Sequence, residues 1–434
     1  MADPQGYQNG RRVAIVDGLR TPFMKSGTTY EHLTPIDLGT AAVNELVQRS
    51  AVDPEAIDLV VYGAVVPVVA APNIAREVST GANLPRSVDA YSVSRACATS
   101  TQATINAVQS ILSGDSEVAI AGGADSLSRP PITYSDNATA ALMRAAKARD
   151  VSGKLKAFSQ VRPKDLAPSA PALEDMSSGL TMGDAAEKMA RENGISREAQ
   201  DAYAYESHMK AHEAWEKGVF DSEVMHFAVP PSYETTAERD NLTRGDSTLE
   251  ALAKLRPAFD KRYGTVTAGN SSPLTDGASA VLLMEEKTAE RLGFIPRAFI
   301  KSWGFAALDP SWQMLMGPSF ATPIALDRAG MTLDEIDVVD MHEAFAAQML
   351  SNLQAFASPE WAQKHLGRDR AIGEIPSDKL NLYGGSISLG HPFAATGTRQ
   401  LTTMANELVR RDTGTALITQ CAAGGLGAAV ILER

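Results

Sequence analysis

Cysteine is scarce in this chain: only Cys97 and Cys421 occur among 434 residues. Two thiols form at most one disulfide, which would stabilise a chain of this length little, so we expect a reducing, cytoplasmic location. Long apolar runs are also missing. No stretch approaches 18 uncharged apolar residues, which argues against a transmembrane helix. The first twelve residues contain no apolar signal core, so no export signal is expected either.

Several ligand-binding patterns are absent as well. His208 and His212 are four residues apart but lack the glutamate of a zinc-binding HExxH helix, and no metal is expected. The chain has no Walker A motif and no Gly-x-Ser-x-Gly elbow. Only seven residues follow Gly427, too few for a dinucleotide-binding unit after Gly425. The net charge of −12 argues against a general nucleic-acid partner.

What the chain does contain is an alternation of apolar runs and amphipathic patterns. Residues 101–112 place Ile105, Val108 and Ile111 on one helical face. Six short apolar runs predict buried strands at 13–16, 59–62, 118–121, 338–339, 416–419 and 428–432. Such alternation is typical of a layered α/β protein.

A weak internal repeat accompanies this pattern. Residues 47–60 align with residues 326–339 at a constant offset of 279, with identical Arg, Ile, Asp and Val at four positions. In both copies the end of a predicted helix is followed by an Ile-Asp pair at the start of a predicted strand. Chance similarity and duplication of an α/β half both remain open on this observation.

The middle of the chain differs from both ends. From Arg129 to about Arg262 the strand signal weakens, and proline, methionine and helical charge patterns dominate. Residues 129–164 contain eight basic residues against Asp136 and Asp150, a net charge of +6 within an acidic protein. This basic stretch is either a solvated helical insert or a docking surface for an anionic ligand, a partner or a membrane.

Both cysteines and two of the seven histidines lie in unusual settings. Cys97 directly precedes a helical pattern, where the helix dipole favours a thiolate. Cys421 follows an apolar run and precedes small residues that leave the backbone open to a ligand. His342 follows a predicted strand, and His391 lies between glycines and a proline. These settings indicate chemistry rather than packing.

The segments that contain these residues resemble the signatures of thiolases, in thiolase order and across nearly the whole chain. The resembling segments are 91–100 (YSVSRACATS), 264–278 (GTVTAGNSSPLTDGA), 342–345 (HEAF), 384–392 (GGSISLGHP) and 421–425 (CAAGG). The similarity is closest to the β subunit of the trifunctional fatty-acid β-oxidation complex and its bacterial relatives. His342, where many thiolases have asparagine, and the basic insert favour that subgroup.

The resemblance implies the thiolase fold, an α/β fold with two duplicated halves in an αβαβα arrangement and an inserted, mainly helical loop domain. We expect the N-terminal half at residues 1–128 and 263–288. The loop domain is expected at 129–262 and the C-terminal half at 289–434. Relatives are dimers or dimers of dimers. Likeness to a trifunctional β subunit also implies an α subunit with hydratase and dehydrogenase activities.

The implied reaction is CoA-dependent cleavage of a 3-ketoacyl-CoA of medium or long chain, with CoA as a substrate and no permanently bound cofactor. By position, Cys97 is the nucleophile, His391 its base and Cys421 the second acid and base. His342 with His391 is expected to form one oxyanion hole. The backbone N–H groups of Cys97 and Ala423 form the other. Many relatives have glycine at position 423, so this hole requires a backbone angle there that suits a Cβ.

Five further residues match positions that line the pantetheine tunnel of relatives: Met182, Phe259, Ser272, Leu274 and Phe345. Core packing is the alternative interpretation of Phe259 and Phe345.

Other functions stay open beside thiolysis of longer chains. An acetoacetyl-CoA-specific, biosynthetic thiolase would use the same residues. A β-ketoacyl synthase is disfavoured because it has no second catalytic cysteine like Cys421. A non-catalytic acyl-CoA-binding protein of this family would have lost part of the cysteine and histidine set, which is complete here. A cysteine hydrolase would need an architecture outside these motifs.

Overall fold

The computed structural model describes residues 5–8, 10–168 and 174–434. The strands are β1 Tyr7–Gln8, β2 Arg11–Arg20, β3 Met24–Lys25, β4 Leu59–Gly63, β5 Asp89–Tyr91, β6 Val118–Asp125, β7 Phe227–Ala228, β8 Thr236–Ala237, β9 Thr275–Glu285, β10 Ala298–Ala307, β11 Val338–Met341, β12 Thr415–Ala422 and β13 Leu426–Glu433. All six predicted strands and the predicted helix at 101–112 are confirmed, each within wider bounds, and the strand predicted at 13–16 extends over ten residues.

The helices alternate with the strands along both ends of the chain. They are α1 Pro35–Ser50, α2 Ile74–Gly81, α3 Thr99–Ser113, α4 Asp136–Lys147, α5 Val151–Ala157, α6 Met182–Glu192, α7 Arg197–Glu216, α8 Leu249–Ala253, α9 Glu286–Leu292, α10 Gly317–Ala329, α11 Ala346–Ala357, α12 Pro359–Leu366, α13 Ser386–Leu389 and α14 Thr396–Arg411. Among the described residues, none of these helices combines the length and apolarity needed to cross a bilayer.

The main sheet contains the same strand topology twice. Its order is β11-β12-β13-β10-β2-β9-β6-β4-β5. In the first half β4 pairs parallel with β6, and β6, β9 and β2 follow as antiparallel neighbours. In the second half β11 pairs parallel with β12, and β12, β13 and β10 follow as antiparallel neighbours. Among the described residues, the strands of the two halves pair at two positions, Ala298 with Ile15 and Phe299 with Ala14.

The repeat at an offset of 279 is a structural repeat. Helices α1 and α10 end in left-handed caps at Ala51 (φ 55°) and Gly330 (φ 66°), which are equivalent positions. A 3₁₀ turn follows each cap, at Pro54–Ala56 and Leu333–Glu335, and strands β4 and β11 then begin. The same cap, turn and strand entry therefore occur in both halves, which supports duplication.

Three helix layers cover the two sheet halves. Helices α1 and α2 pack on one face of the first half, and α10 and α11 pack on one face of the second. Helices α3 and α14 form one apolar cluster with strands of both halves. Because the strands are buried on both faces, their sequences are continuous apolar runs and do not alternate between apolar and polar residues. The order of layers is helix, sheet, helix, sheet, helix.

The described residues from 130 to 168 and residue 174 form one compact unit, and the remaining described residues form a second. Helices α4 and α5 belong to the smaller unit, and Ser135 and Asp150 cap their N-termini. The compact insert is thus narrower than the loop domain expected at 129–262. The division into three thiolase parts stays a prediction.

Candidate active site

A strained turn presents Cys97 at the start of α3. Ala96 has a left-handed backbone (φ 44°), which costs a non-glycine residue about 1–3 kcal/mol. The Thr99 hydroxyl stabilises the turn by donating to the Ala96 carbonyl at 2.7 Å and accepting from the Arg95 N–H at 2.8 Å. The turn therefore holds the Cys97 side chain at one fixed position at the helix start.

The Cys97 thiol is half-buried and free. Burial raises its pKa to about 11, although the backbone N–H groups of Ala423 and of Cys97 itself act in the opposite direction by hydrogen bonding to the sulfur. Two N–H groups thus converge on the Cys97 sulfur. The backbone oxyanion hole itself stays a prediction. Ala423 does not have a positive φ, so its Cβ is compatible with this geometry. At neutral pH the thiol is protonated and needs a base.

Two histidine rings face the Cys97 thiol. The ring centroids of His342 and His391 are 4.2 Å apart with the planes tilted by 46°. The sulfur and one nitrogen of each ring all lie within 4.8 Å of one another. Both Nδ1 atoms form hydrogen bonds with hydroxyl groups. Nδ1 of His342 is 2.7 Å from the Ser386 hydroxyl, and Nδ1 of His391 is 2.6 Å from the Thr396 hydroxyl. Both Nε2 atoms are buried and, within the described chain, have no hydrogen-bond partner.

Both imidazoles are neutral at physiological pH. Burial lowers the pKa of His391 to about 3 and that of His342 well below its usual value, and the nearby charge of Arg399 acts in the same direction. A neutral ring whose Nδ1–H donates to a hydroxyl leaves Nε2 as a proton acceptor. The free Nε2 atoms of His391 and His342 can therefore accept a hydrogen bond or a proton from a group in the site.

Cys421 lies near the end of β12 and is 1% exposed. Burial raises its pKa well above the usual value, and the proximity of Cys97 raises it further. The turn after Cys421 requires glycine at position 425, because the backbone there is left-handed (φ 70°). A side chain at this position would also place its Cβ 2.3 Å from the Leu308 carbonyl oxygen. Tight packing thus places a second protonated thiol near the first.

A buried polar chain fixes the residue before Cys421. Asp340 accepts from Arg399 at 2.5 Å and from the Gln400 side chain at 2.7 Å. Gln400 in turn accepts from the Gln420 amide at 2.7 Å. These contacts connect α14 with β11 and β12, and they position the strand end that contains Cys421.

Sequence reasoning gave no role to Glu343, which directly follows His342. Its buried carboxylate accepts hydrogen bonds from the Tyr203 hydroxyl at 3.0 Å, the Asn381 amide at 2.7 Å and the Ser207 hydroxyl at 2.7 Å. The only signal in the sequence was its place in the HEAF segment. Because helix α7 supplies Tyr203 and Ser207, the contacts cannot be read from local sequence.

Asp125, at the end of β6, was also not anticipated. Its fully buried carboxylate accepts from the N–H groups of Val65 and Val66 and, at 2.8 Å, from that of Ala394. Burial raises its pKa to about 7 despite these donors. The carboxylate thereby ties the loop after β4 to the segment that follows His391.

Asp125→Asn is expected to destabilise the protein by about 1–3 kcal/mol, because an amide nitrogen replaces one acceptor and leaves a buried N–H group unpaired. Urea unfolding measures this loss, and hydrogen exchange at the Ala394 amide should become faster. Asp115→Asn, at an exposed site preceding the same strand, is the matched control. Equal stability of the two variants would contradict the assigned contacts.

Of the five residues predicted to contact pantetheine, Leu274 contacts His391 directly, and the other four are connected through Ala344, Phe345 or their packing cluster. Phe259 and Phe345 meet edge to face with centroids 6.0 Å apart, and Phe345 is buried whereas Phe259 is 38% exposed. Leu274 is 54% exposed and forms a backbone bridge with His391. Ser272 donates its N–H to the Ala344 carbonyl, beside Phe345. Met182, at the start of α6, packs with the cluster that contains Phe345 and Cys421.

Exposed apolar side chains beside the histidines suit an apolar arm of a ligand. Contact with CoA itself stays a prediction for all five residues. Phe345 is buried, which is compatible with the packing interpretation, whereas Phe259 and Leu274 are exposed.

The raised pKa of Cys97 predicts the pH dependence of its alkylation. Only the thiolate reacts with iodoacetamide, and below a pKa of about 11 its fraction rises tenfold per pH unit. The alkylation rate should therefore rise by about 100-fold between pH 7 and pH 9 without a plateau. Mass spectrometry of the peptide that contains Cys97 measures the rate, and free cysteine, with a pKa of about 8.5, serves as the control that flattens. A plateau below pH 8 would contradict this environment.

The fold and the site together define a duplicated, five-layered α/β protein in which one thiol and two neutral imidazoles converge and a second thiol lies close enough to interact with the first. Residues 13–287 match the family model for the thiolase N-terminal domain, and residues 294–434 match that for the thiolase C-terminal domain. The chain belongs to the thiolase family, and its fold is the thiolase fold.

Similar proteins cover almost the whole chain. A protein named 3-ketoacyl-CoA thiolase from Alteromonas mediterranea is 55% identical and covers 98% of both chains. One of the same name from Shewanella halifaxensis is 54% identical over the full length of both. Among solved structures, human mitochondrial 3-ketoacyl-CoA thiolase in complex with CoA has a TM-score of 0.81 at 31% identity. An acetyl-CoA acetyltransferase from Bacillus anthracis has 0.83 at 30% identity, and each of these two alignments covers 98% of both chains.

Proposed function

We propose that this protein is a 3-ketoacyl-CoA thiolase, an acetyl-CoA C-acyltransferase. It cleaves 3-ketoacyl-CoA of medium or long chain with CoA, and it releases acetyl-CoA and a shortened acyl-CoA. The observation that carries the proposal is the convergence of the Cys97 sulfur with one nitrogen each of His342 and His391 within 4.8 Å. The printed names of the relatives at 54–55% identity support the substrate class.

In the first half-reaction, His391 takes the Cys97 proton and the sulfur attacks the 3-keto carbon. One of the two proposed oxyanion holes stabilises the negative oxygen. As the C2–C3 bond breaks, its electron pair stays on C2 of the departing acetyl-CoA. The Cys421 thiol protonates that carbon. An acyl-Cys97 thioester, a protonated His391 and a Cys421 thiolate remain.

In the second half-reaction, Cys421 takes the proton of the incoming CoA thiol. The CoA sulfur attacks the acyl carbonyl, and the bond to Cys97 breaks. His391 returns its proton to the departing Cys97 sulfur, so every group regains its starting state. A thiol serves better than a carboxylate at position 421, since its acidity lies nearer that of a thioester α-carbon.

A biosynthetic, acetoacetyl-CoA-specific thiolase is the second candidate, favoured by the similarity to the acetyl-CoA acetyltransferase structure. The test is the CoA-dependent loss of 3-ketoacyl-CoA absorbance, with acetoacetyl-CoA and 3-ketohexadecanoyl-CoA as substrates. Faster cleavage of the long substrate supports the proposal, and preference for acetoacetyl-CoA supports the second candidate. Cleavage of neither would overturn both and favour an acyl-CoA-binding role.

Partners and location are part of the same proposal. Homodimers or dimers of dimers, and an α subunit with hydratase and dehydrogenase activities, follow from the family resemblance. The low cysteine content favours the cytoplasm. Residues 129–164 are proposed as a docking surface for a partner or a membrane, because exposed basic and exposed apolar side chains occur there together. The apolar ones are Ile132, Tyr134, Leu142, Met143, Val151, Leu155 and Phe158.

A further inference from the structure

Cys97, His342 and His391 form a group of potential metal ligands that the proposed reaction does not use as such. One ligating atom of each lies within 4.8 Å of the others. The two unpartnered Nε2 atoms are the nitrogens available to a ligand, since hydroxyl groups already occupy both Nδ1 atoms. A buried imidazole nitrogen without a partner is costly, and a bound cation would satisfy both at once.

The donor set selects the kind of ion. One thiolate and two imidazoles suit zinc, which prefers sulfur and nitrogen ligands in tetrahedral geometry. With Zn–S near 2.3 Å and Zn–N near 2.05 Å, the ligand atoms of such a site lie about 3.5 Å apart. Because the three atoms lie within 4.8 Å of one another, a contraction of at most about 1.3 Å closes the site. The cluster contains no carboxylate, so it does not suit magnesium or calcium, which require oxygen ligands.

The surroundings hold the rings in a metal-binding orientation. Zinc-binding histidines almost always hydrogen-bond through the ring nitrogen that does not contact the metal. Ser386 provides this contact for His342 at 2.7 Å, and Thr396 provides it for His391 at 2.6 Å. Three protein ligands leave the fourth position of a tetrahedral ion open.

We propose that Cys97, His342 and His391 bind one Zn²⁺ ion, which reversibly blocks the Cys97 sulfur. On binding, the thiol proton leaves to solvent and the thiolate donates an electron pair to the ion. A chelator removes the ion and restores the thiol. The inference goes beyond the proposed function and departs from the expectation of no metal site. Three distant chain segments supply the ligands, so no local spacing in the sequence reveals them.

Titration of the metal-free protein with ZnCl₂ against a chromophoric zinc indicator tests the site. Wild type should bind one tight equivalent. Cys97→Ser and His342→Asn each remove a ligand and should weaken that equivalent by about 100-fold or more, whereas Ser386→Ala, which removes only the support of His342, should weaken it by about 10- to 100-fold. His32→Gln, at an exposed histidine beside Glu31, controls for adventitious surface binding and should bind as wild type does.

A second measurement requires no variant and no acyl-CoA. Zn²⁺ should protect Cys97 of the wild-type protein from iodoacetamide, and EDTA should restore alkylation, as measured by mass spectrometry of the Cys97 peptide. Protection together with weaker binding in the ligand variants supports the proposal. Unchanged alkylation in the presence of bound zinc would overturn it. So would a tight equivalent that persists in both Cys97→Ser and His342→Asn, with melting temperatures showing that the variants are folded.

Discussion

Cys97→Ala is expected to lower kcat for CoA-dependent cleavage of 3-ketoacyl-CoA by about 10⁴-fold or more, because no other described group replaces a nucleophile that forms the covalent intermediate. Of the two cysteine thiols, both in the described chain, only that of Cys97 lies within 4.8 Å of a nitrogen of each histidine. The decay of substrate absorbance measures the loss. Radioactive acyl-CoA should also label wild type at Cys97 and leave the variant unlabelled.

The matched control is Cys97→Ser, which keeps the shape of the side chain but has a far weaker nucleophile. Both variants should melt close to wild type, since the side chain is only partly buried and Thr99 continues to hold the turn. Retention of more than about one hundredth of wild-type kcat in the alanine variant would show that the covalent step does not occur at Cys97.

Cys421→Ala is expected to lower kcat by about 10²- to 10⁴-fold, the usual contribution of a positioned acid and base. The loss should be selective. Acetyl transfer from acetyl-CoA to Cys97 is the reverse of the second half-reaction and also uses Cys421, to protonate the CoA sulfur. A thiolate leaves without a proton far more readily than a carbanion does, so this transfer should slow much less than cleavage. Exchange of the α-protons of acetyl-CoA with deuterated water requires a base at carbon and should disappear. Nuclear magnetic resonance of acetyl-CoA in deuterated buffer measures that exchange.

Cys421→Ser serves as the control for packing, because it restores most of the volume of a side chain that is 1% exposed. A serine hydroxyl is a much weaker acid, so the exchange should stay slow. Exchange at the wild-type rate in both variants would assign the proton transfer to another group.

Local pattern predicted much of the sheet framework. Apolar runs located six strands, and the shared Arg, Ile, Asp and Val positions located the repeated cap, turn and strand entry at Ala51 and Gly330. Strands β9 and β10 were not predicted. Near its start, strand β9 contains Asp276 and Gly277, which have low strand propensity, and its burial on both faces arises only from the assembled layers.

The site was predicted through motif resemblance rather than from spacing. Cys97, His342, His391 and Cys421 come from four separate segments, and no local sequence pattern predicts that these segments lie close together in the fold. The buried acceptor Asp125 shows the limit most clearly, because its partners Val65 and Ala394 lie 60 residues before it and 269 residues after it. Such long-range hydrogen bonds depend on the finished fold.

The order of strands has a consequence for synthesis on the ribosome. Strand β9 pairs with β2 on one side and with β6 on the other, although Val118 of β6 and its partner Met284 are far apart in the chain. Until β9 has left the exit tunnel, β2 and β6 lack the neighbour that separates them and expose edges able to pair with other chains. The sheet of the first half therefore stays incomplete while the chain between β6 and β9, more than a third of the protein, is translated. That interval is where we expect chaperones to bind and aggregation to begin.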